Sequence, residues 1–360
     1  MKFSKKVLSI LGITLAIAVL VVSGGMANAA EKKVRWKLAM TWGTNLVPFT
    51  DGVANMASMV ETMSDGNFII RIDSADKHKA PFGVLDMVKL GQYDMGHSAS
   101  YYWKGKDIAL LPLTTMPFDM TVPEQYSWFY HGGGLDLMQK AYAKHNVLSF
   151  PGGNTGVQMG GWFKKEINSL EDLKGLKMRI PGFAGEILAN LGLTVTNIPV
   201  GELYMALERG TIDALEWVGP GMDIKMGFHK IAPYYYTGWH EPGGELQFLV
   251  NKKKFNTLSD KNKKILTVAM KLTAYDIYIK NYHMSTEAWS QIEKDFPKIK
   301  IRTLPKEVMD ALKAENKRLQ AEKTKTNPML KEILDSRQTY MKKAREWTRI
   351  SAYSYLRDNL

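Results

Sequence analysis

Two acidic residues of the sequence lie among apolar neighbours, where a charge needs a partner. Glu216 is flanked by Leu215 and Trp217, and Glu241 follows the aromatic-rich segment 234–239. A carboxylate shielded from water requires a positive group or a metal ion. If the two glutamates approach each other and the side-chain amide oxygen of Gln158 joins them, they form an all-oxygen site. Such a site suits Na⁺ or Ca²⁺ and does not suit zinc or copper.

A basic residue stands at the end of one predicted strand. The apolar residues of segment 176–180 share one face, which leaves Arg179 on the other face at the carboxyl end. Polar Asn154 and Gln158 lie in the glycine-rich segment 153–163. In open α/β sheets, ligands bind beyond the carboxyl ends of the strands, where these segments end. Taken alone, Arg179 has the pattern of an ordinary surface residue as well as that of an anion ligand.

Several enzyme classes are excluded by what the sequence lacks. It contains no cysteine, which excludes disulfides, thiolate zinc sites, iron–sulfur clusters and cysteine nucleophiles. Segment 96–100 is similar to the nucleophile turn of serine hydrolases, but it lacks the last glycine. The glycine-rich loop 131–134 also follows that segment instead of preceding it. No phosphate-binding loop is present, and the seven histidines show no metal-ligand spacing on a helix.

The first 29 residues have the composition of an export signal. Three lysines precede an apolar run over 7–22, and small residues ending at Ala29 follow it. The run is shorter than the roughly 20 residues of a spanning helix, so we expect cleavage near Ala29 and a periplasmic protein rather than a membrane anchor. The formal net charge of +12 favours anionic partners. Nucleic acid is excluded because the densest basic stretch, 251–264, shows no pattern of stacking aromatic residues.

Strand-like and helix-like segments alternate through the first 250 of the 360 residues, which predicts an α/β fold with mostly parallel sheets. A weak repeat between 88–95 and 207–214 supports two similar lobes. The predicted strands are 34–41, 68–73, 95–99, 109–117, 147–151, 157–163, 176–180, 194–199, 212–218 and 246–251. The predicted helices between them are 49–63, 183–191 and 201–208.

The last 100 residues predict mainly helices. Segment 259–295 contains no proline or glycine, and as one helix at 1.5 Å per residue it reaches about 55 Å, enough to span both lobes. Two shorter helices remain an alternative. A charged helix over 306–323 and an amphipathic helix after Pro328 follow. The apolar face of the last helix either packs on the body of the protein or pairs with a second subunit.

Four motifs together resemble one protein family. They are Asn154-Thr-Gly-Val-Gln-Met-Gly-Gly-Trp-Phe, Leu176-Lys-Met-Arg-Ile-Pro-Gly, Ala214-Leu-Glu-Trp-Val-Gly-Pro and Ala232-Pro-Tyr-Tyr-Tyr. With the export signal, they resemble the DctP-type solute-binding proteins of tripartite ATP-independent periplasmic (TRAP) transporters. The resemblance implies a two-lobed, type II-like periplasmic binding protein fold with a long helix spanning both lobes. It places lobe I at 31–153 and about 246–258, lobe II at 154–245 and about 296–304, the connecting helix at 259–295 and the C-terminal helices at 306–360.

The resemblance also implies a ligand and the residues that hold it. Arg179 matches the arginine that clamps a carboxylate with two parallel hydrogen bonds. Trp217 stands where dicarboxylate and sialic acid binders commonly have Asn, which resembles the branch that binds 2-oxo or 2-hydroxy monocarboxylates through a cation. The implied cation ligands are Gln158, Glu216, the main-chain carbonyl of Trp217 and Glu241. The implied substrate-binding residues are Arg179, Gln158, Trp217, Asn154, Tyr101 and Tyr102, with Trp42 and Phe118 as weaker candidates.

The resemblance therefore implies a binding protein that delivers a small organic acid, bound with one Na⁺ or Ca²⁺, to a TRAP permease in the membrane. A secreted, cation-dependent enzyme such as a lyase acting on the same acids is the alternative from another class. A protein that presents its ligand to a chemoreceptor would share the same site. The sequence leaves open the length of the acid, the choice between Na⁺ and Ca²⁺, and whether the C-terminal helices form a homodimer.

Overall fold

The computed structural model describes residues 33–360, whose strands form two sheets. The predicted export signal 1–29 and its cleavage near Ala29 lie outside this range. The strands are β1 Val34–Met40, β2 Phe68–Asp73, β3 Met95–Ser98, β4 Val147–Asn154, β5 Gly161–Phe163, β6 Lys177–Arg179, β7 Thr194–Thr196, β8 Ala214–Leu215, β9 Tyr234–Tyr236, β10 Glu245–Asn251 and β11 Lys300–Arg302. The α-helices are α1 Phe49–Met63, α2 Ala75–His78, α3 Val84–Lys89, α4 Val122–His131, α5 Gly134–Tyr142, α6 Gly182–Asn190, α7 Leu203–Glu208, α8 Pro220–Met226, α9 Lys252–Asn256, α10 Asp260–Asp295, α11 Lys306–Thr324, α12 Pro328–Ile350 and α13 Ala352–Asn359.

The order of the strands divides them between the two sheets. The first sheet has five strands in the order β2-β1-β3-β10-β4, with β1 parallel to β2 and β3 and β10 antiparallel to both neighbours. The second has six strands in the order β11-β9-β5-β8-β6-β7. In it, β6 is parallel to β7 and β8, while β5 is antiparallel to β8 and β9. Because β10 returns to the first sheet and β11 to the second, the chain passes between the sheets three times.

Helix α1 shows how the apolar spacing of the sequence forms the core. Phe49, Val53 and Val60 lie on one face and are buried, as the predicted helix over 49–63 requires. That face packs against the first sheet and against α10. Gly52 permits the close approach of the two helices, since a Cβ at that position would lie 2.4 Å from the side chain of Ile277.

The long helix α10 is one continuous helix of 36 residues, which settles the choice that the sequence left open. The hydroxyl of Ser259 caps it by accepting a hydrogen bond from the backbone N–H of Asn262. The helix contacts α1 and β4 beside the first sheet and α8 beside the second. Asn281 also donates a hydrogen bond to the carbonyl oxygen of Thr155 at 2.5 Å. The predicted α/β fold of two lobes with a long shared helix is confirmed.

The strands differ from their prediction at three places. Segment 109–117 is not a strand; residues Ile108–Leu113 form a 3₁₀ helix, which Asp107 begins by accepting from the backbone N–H of Ala109 at 3.2 Å. A short, wholly buried apolar run carries no periodicity that separates a strand from a helix, which explains the error. In the predicted strand 157–163, only Gly161–Phe163 is extended within a sheet. The strand β9 was not predicted, because three consecutive tyrosines show no alternation of apolar and polar residues.

The C-terminal helices pack on the body over part of their length. In α12, Leu330, Ile333 and Leu334 are buried, and the guanidinium of Arg337 pairs with Asp119 at 3.1 Å. Beyond residue 341 the helical residues are half-buried or exposed. Among the described helices, none combines the length and the apolar character that crossing a membrane requires.

Candidate functional site

The register of the second sheet brings two of the predicted residues together. Strands β6 and β8 are parallel neighbours, and Arg179 pairs with Leu215, the residue before Glu216. Because both strands end at this point, their last side chains meet at the carboxyl edge of the sheet. Arg179 and Glu216 are each 1% exposed. The predicted position of Arg179 at a strand end is confirmed, but the arginine is buried rather than at the surface.

Arg179 and Glu216 form a buried ion pair. The Nη1 of Arg179 donates to a carboxylate oxygen of Glu216 at 2.7 Å and to the main-chain carbonyl of the same residue at 2.7 Å. Its Nε donates to the carbonyl oxygen of Ile198 at 3.3 Å. Burying the two charges costs several kcal/mol per ion, which their attraction and these hydrogen bonds offset. The pair thus holds the guanidinium in one orientation at the end of the sheet.

A histidine that the sequence reasoning did not include completes this group. The Nε2 of His240 lies 2.9 Å from the second carboxylate oxygen of Glu216, and His240 is fully buried. Ligand atoms of Glu216, His240 and Glu241 all lie within 4.8 Å of one another. The available signal was that His240 immediately precedes Glu241, whereas histidines paired at helical spacing, the pattern typical of metal ligands, do not include it.

The second glutamate lies close to the first and is also buried. Burial raises the pKa of the Glu241 carboxyl well above its usual range, and the negative charge of Glu216 adds to this effect, while Arg179 opposes it. Two carboxylates in one buried space repel each other unless a positive charge lies between them. The surroundings of Glu241 therefore favour a bound cation.

Gln158 lies against one of the two predicted glutamates, Glu241. Its Nε2 donates to a carboxylate oxygen of Glu241 at 2.8 Å and to the hydroxyl of Thr155 at 2.9 Å. Three buried polar atoms of this group have no hydrogen-bond partner within residues 33–360: Gln158 Oε1, Trp217 Nε1 and His240 Nδ1. Buried polar atoms are almost always paired, so three unpaired atoms in one cluster indicate a missing ligand.

Aromatic rings cover the other side of the arginine. The ring of Trp217 lies 5.5 Å from the guanidinium carbon of Arg179, and Trp42 packs edge-on against Trp217 with ring centroids 6.5 Å apart. Tyr102 lies 6.4 Å from Trp42, and Tyr101 lies 4.7 Å from Tyr102, also between centroids. Trp42, Tyr101, Tyr102 and Trp217 are called the aromatic layer below.

The two tyrosines of this layer remain protonated. Burial raises the pKa of Tyr101 well above its ordinary value, with the negative charge of Glu241 as a further cause. Burial likewise raises the pKa of Tyr102 to about 12, although the positive charge of Arg179 opposes the shift. Their hydroxyl groups can therefore donate hydrogen bonds at neutral pH.

Two predicted residues have other partners in the structure. The side-chain amide of Asn154 donates to Gln125 at 2.8 Å and to Glu245 at 3.0 Å, and its oxygen accepts from the backbone N–H of Gly156. Among the described residues, no hydrogen bond joins Asn154 to Arg179 or to the two glutamates. The ring of Phe118 packs against Trp239 with centroids 5.7 Å apart.

The sequence matches a known family. Residues 38–327 match the profile of DctP, the bacterial extracellular solute-binding proteins of family 7. The chain belongs to this family. A monocarboxylate 2-oxoacid-binding periplasmic protein of Nostoc sp. is 40% identical over 332 residues, which are 91% of this chain and 90% of that protein.

Two solved structures of TRAP periplasmic solute-binding proteins are similar over the same region. That from Colwellia psychrerythraea, with bound calcium and pyruvate, is 60% identical with a TM-score of 0.90 and covers 91% of this chain and 100% of that chain. The structure from Pseudoalteromonas atlantica, with bound sodium and pyruvate, is 58% identical with a TM-score of 0.89. The match covers 91% of this chain and 99% of that chain. The predicted family and the kind of cation found in it are thus confirmed, and the family consists of periplasmic transport proteins rather than enzymes.

Proposed function

We propose that this DctP-family protein binds a small 2-oxo or 2-hydroxy monocarboxylate together with one Na⁺ or Ca²⁺ and delivers it to a TRAP permease. The observation that carries the proposal is the cluster of unpaired buried atoms beside two glutamates and one arginine. The 2-oxoacid-binding name of the Nostoc relative and the pyruvate bound in the two similar structures support this class of acid.

The donor set fits a hard cation. Gln158 Oε1 is a buried amide oxygen without a partner, and Glu216 and Glu241 supply carboxylate oxygens beside it. We assign these three side chains and the main-chain carbonyl of Trp217 as cation ligands. When bound, the cation neutralises the two carboxylates and attracts the oxygens of the acid.

Arg179 binds the carboxylate of the acid in this proposal. A guanidinium presents parallel N–H groups to a carboxylate, and the ion pair with Glu216 holds it in one orientation. Tyr101 and Tyr102 donate hydrogen bonds from the first lobe. The charges of the two glutamates, the acid and Arg179 cancel with a divalent cation and leave one negative charge with Na⁺, which favours Ca²⁺.

Contacts between the lobes support a mechanism of closure around the ligand. Lys104 donates to the carbonyl oxygen of Gly182 at 3.1 Å and lies 3.4 Å from Glu186. The backbone N–H of Phe118 donates to the carbonyl oxygen of Trp239 at 3.2 Å. A ligand that touches Arg179 in one lobe and the tyrosines in the other favours the closed state through contacts that the open state lacks.

Binding of pyruvate, followed by isothermal titration calorimetry and by tryptophan fluorescence, tests the function. We expect saturable binding that weakens when a chelator or the removal of Na⁺ takes the cation away, with pyruvate recovered unchanged. Binding that is indifferent to both cations would contradict the cation site. Consumption of the acid would favour the cation-dependent enzyme, which is the alternative function.

We further propose that the exported protein, cleaved near Ala29, forms a homodimer through its C-terminal helices. Exposed apolar residues at the end of the chain include Trp347, Ile350, Tyr353 and Leu356. Native mass spectrometry should give twice the chain mass for residues 30–360, and a monomer for a chain ending at residue 346.

A further inference from the structure

A cavity of about 750 Å³ lies between the two lobes, outside the aromatic layer. The first lobe contributes the residues on either side of Trp42 and the segment 79–83, and the second lobe contributes the segment 199–202. The cavity is therefore formed by the same two lobes that hold the proposed ligand site.

Two connections along the chain show how near the cavity is to that site. The residues before and after Trp42 line the cavity, while Trp42 itself packs against Trp217 beside the arginine. In the second lobe, the carbonyl of Ile198 accepts a hydrogen bond from Arg179, and the next residue, Pro199, lines the cavity. Residues that line the cavity are thus adjacent in sequence to residues that contact the site.

Phe82 is one of the side chains at this boundary. It lines the cavity and stacks on Tyr102, with ring centroids 4.5 Å apart and an interplanar angle of 29°. Tyr102 in turn lies 6.4 Å from Trp42. Phe82 is half-buried and offers no polar atom to the ligand. Its contact with Tyr102 keeps that ring within the aromatic layer.

We propose that Phe82 determines the length of the acid that the protein accepts, an inference that rests on the proposed function. Polar atoms of Glu216 and the carbonyl of Ile198 contact Arg179 on one side and the ring of Trp217 lies on the other, so the apolar tail of the acid faces the aromatic layer. With Phe82 in place, Tyr102 closes this layer against the tail, and the protein selects short acids. Without the ring of Phe82, Tyr102 moves toward the cavity, and the tail of a longer acid enters it.

Calorimetric titration with pyruvate and with 2-oxohexanoate tests the proposal. One methylene in an apolar pocket changes discrimination by about 10–200-fold, so the unmodified protein should prefer pyruvate by at least about tenfold. In Phe82→Ala, the affinity for 2-oxohexanoate should rise by at least about tenfold, and the affinity for pyruvate should change by less than about threefold. Phe82→Leu, which keeps more of the side chain, should show the same change to a smaller extent. It replaces the alanine variant in the titration if that variant folds poorly.

Two controls isolate the effect of the ring. Phe82→Tyr retains it and should retain the preference for pyruvate. Phe150→Ala removes another half-buried phenylalanine of the same lobe, one that packs on Phe255 and does not line the cavity, and it should also retain that preference. An unchanged ratio of affinities in the alanine and leucine variants overturns the role of Phe82 alone. Failure of the unmodified protein to bind either acid overturns the proposed function with it.

Discussion

Two buried acids beside the second sheet, Asp223 and Glu241, differ in how many hydrogen-bond donors the protein offers to their carboxylate oxygens. Asp223 accepts hydrogen bonds from the indole N–H of Trp162 at 3.0 Å and the hydroxyl of Tyr235 at 2.9 Å. Its other oxygen accepts from the backbone N–H groups of Val218 and Gly219 at 3.1 and 3.0 Å. The chain itself thus supplies the donors that this buried carboxylate needs.

Glu241 is also buried, but fewer hydrogen-bond donors contact its carboxylate. It accepts a hydrogen bond from Gln158, faces the carboxylate of Glu216, and lies in the cluster that contains three unpaired polar atoms. The comparison teaches that burial of an acid does not distinguish structure from function. A complete set of donors indicates a structural acid, and an incomplete set beside a second acid indicates a place for a ligand.

The largest expected effect is the loss of binding in Arg179→Ala. Removing one partner of a buried charge pair costs about 2–5 kcal/mol, so the affinity for pyruvate should fall by at least about 30-fold. Arg179→Lys, which keeps the charge without the planar pair of donors, should bind more weakly than the unmodified protein and more tightly than the alanine variant. Isothermal titration calorimetry measures both affinities, and a fall of less than about tenfold in Arg179→Ala would contradict the clamp.

The structural acid should behave in the opposite way. Asp223→Ala leaves buried donors unpaired, and the free energy of unfolding should fall by about 2–3 kcal/mol in urea denaturation. The folded variant should still bind pyruvate with nearly unchanged affinity, because the hydrogen bonds of Asp223 are all made within the protein and none is left for a ligand. An Asp223→Ala variant of normal stability that no longer binds pyruvate would contradict the assignment of Asp223 as a structural acid and place it in the ligand site.

A smaller effect is expected when one site carboxylate becomes an amide. Loss of a residue that is hydrogen-bonded to a metal ligand weakens metal binding about 10–100-fold. Because Glu216 and Glu241 are proposed to be ligands themselves, Glu216→Gln and Glu241→Gln should each lower the cation affinity at least about tenfold. Cation titrations measure this effect, and circular dichroism should show a folded protein. Global unfolding of Glu216→Gln would instead indicate that its ion pair with Arg179 is mainly structural.

The pH dependence of stability isolates Asp223. Burial raises the pKa of Asp223 to about 7 in the folded protein, above the ordinary value of 3.8. Its protonated form therefore favours folding, fully below about pH 4 and no longer above about pH 7. Relative to Asp223→Asn, the free energy of unfolding should fall by up to about 1.4 kcal/mol per pH unit between these values and then stay level. Urea denaturation from pH 4 to 9 checks this, and equal slopes in both proteins would contradict it.

The sequence predicted the elements with strong periodicity and the residues that have unusual neighbours. Helix α1 matched its prediction at both ends because its apolar residues repeat over four turns. Glu216 and Arg179 could be singled out because an acid among apolar residues and a lone arginine at a strand end are visible locally. Their ion pair could not be predicted, because it depends on the register between β6 and β8.

Other features had no local signal. Asn154 was expected to contact the substrate, but its amide is bonded to Glu245 and Gln125, which lie far from it in the sequence. His240 was missed because it acts through one neighbour across the fold and not through a spaced pair. The domain boundaries and the roles of the site residues stay predictions.

The position of β10 has a consequence for how the protein is made. This strand lies between β3 and β4, yet it comes after the entire second sheet in the chain. Neither sheet is encoded by a continuous stretch of sequence, and the first cannot close until about residue 251 has left the ribosome. Contacts so distant in sequence form slowly. Two separate halves therefore cannot be produced by cutting the gene once.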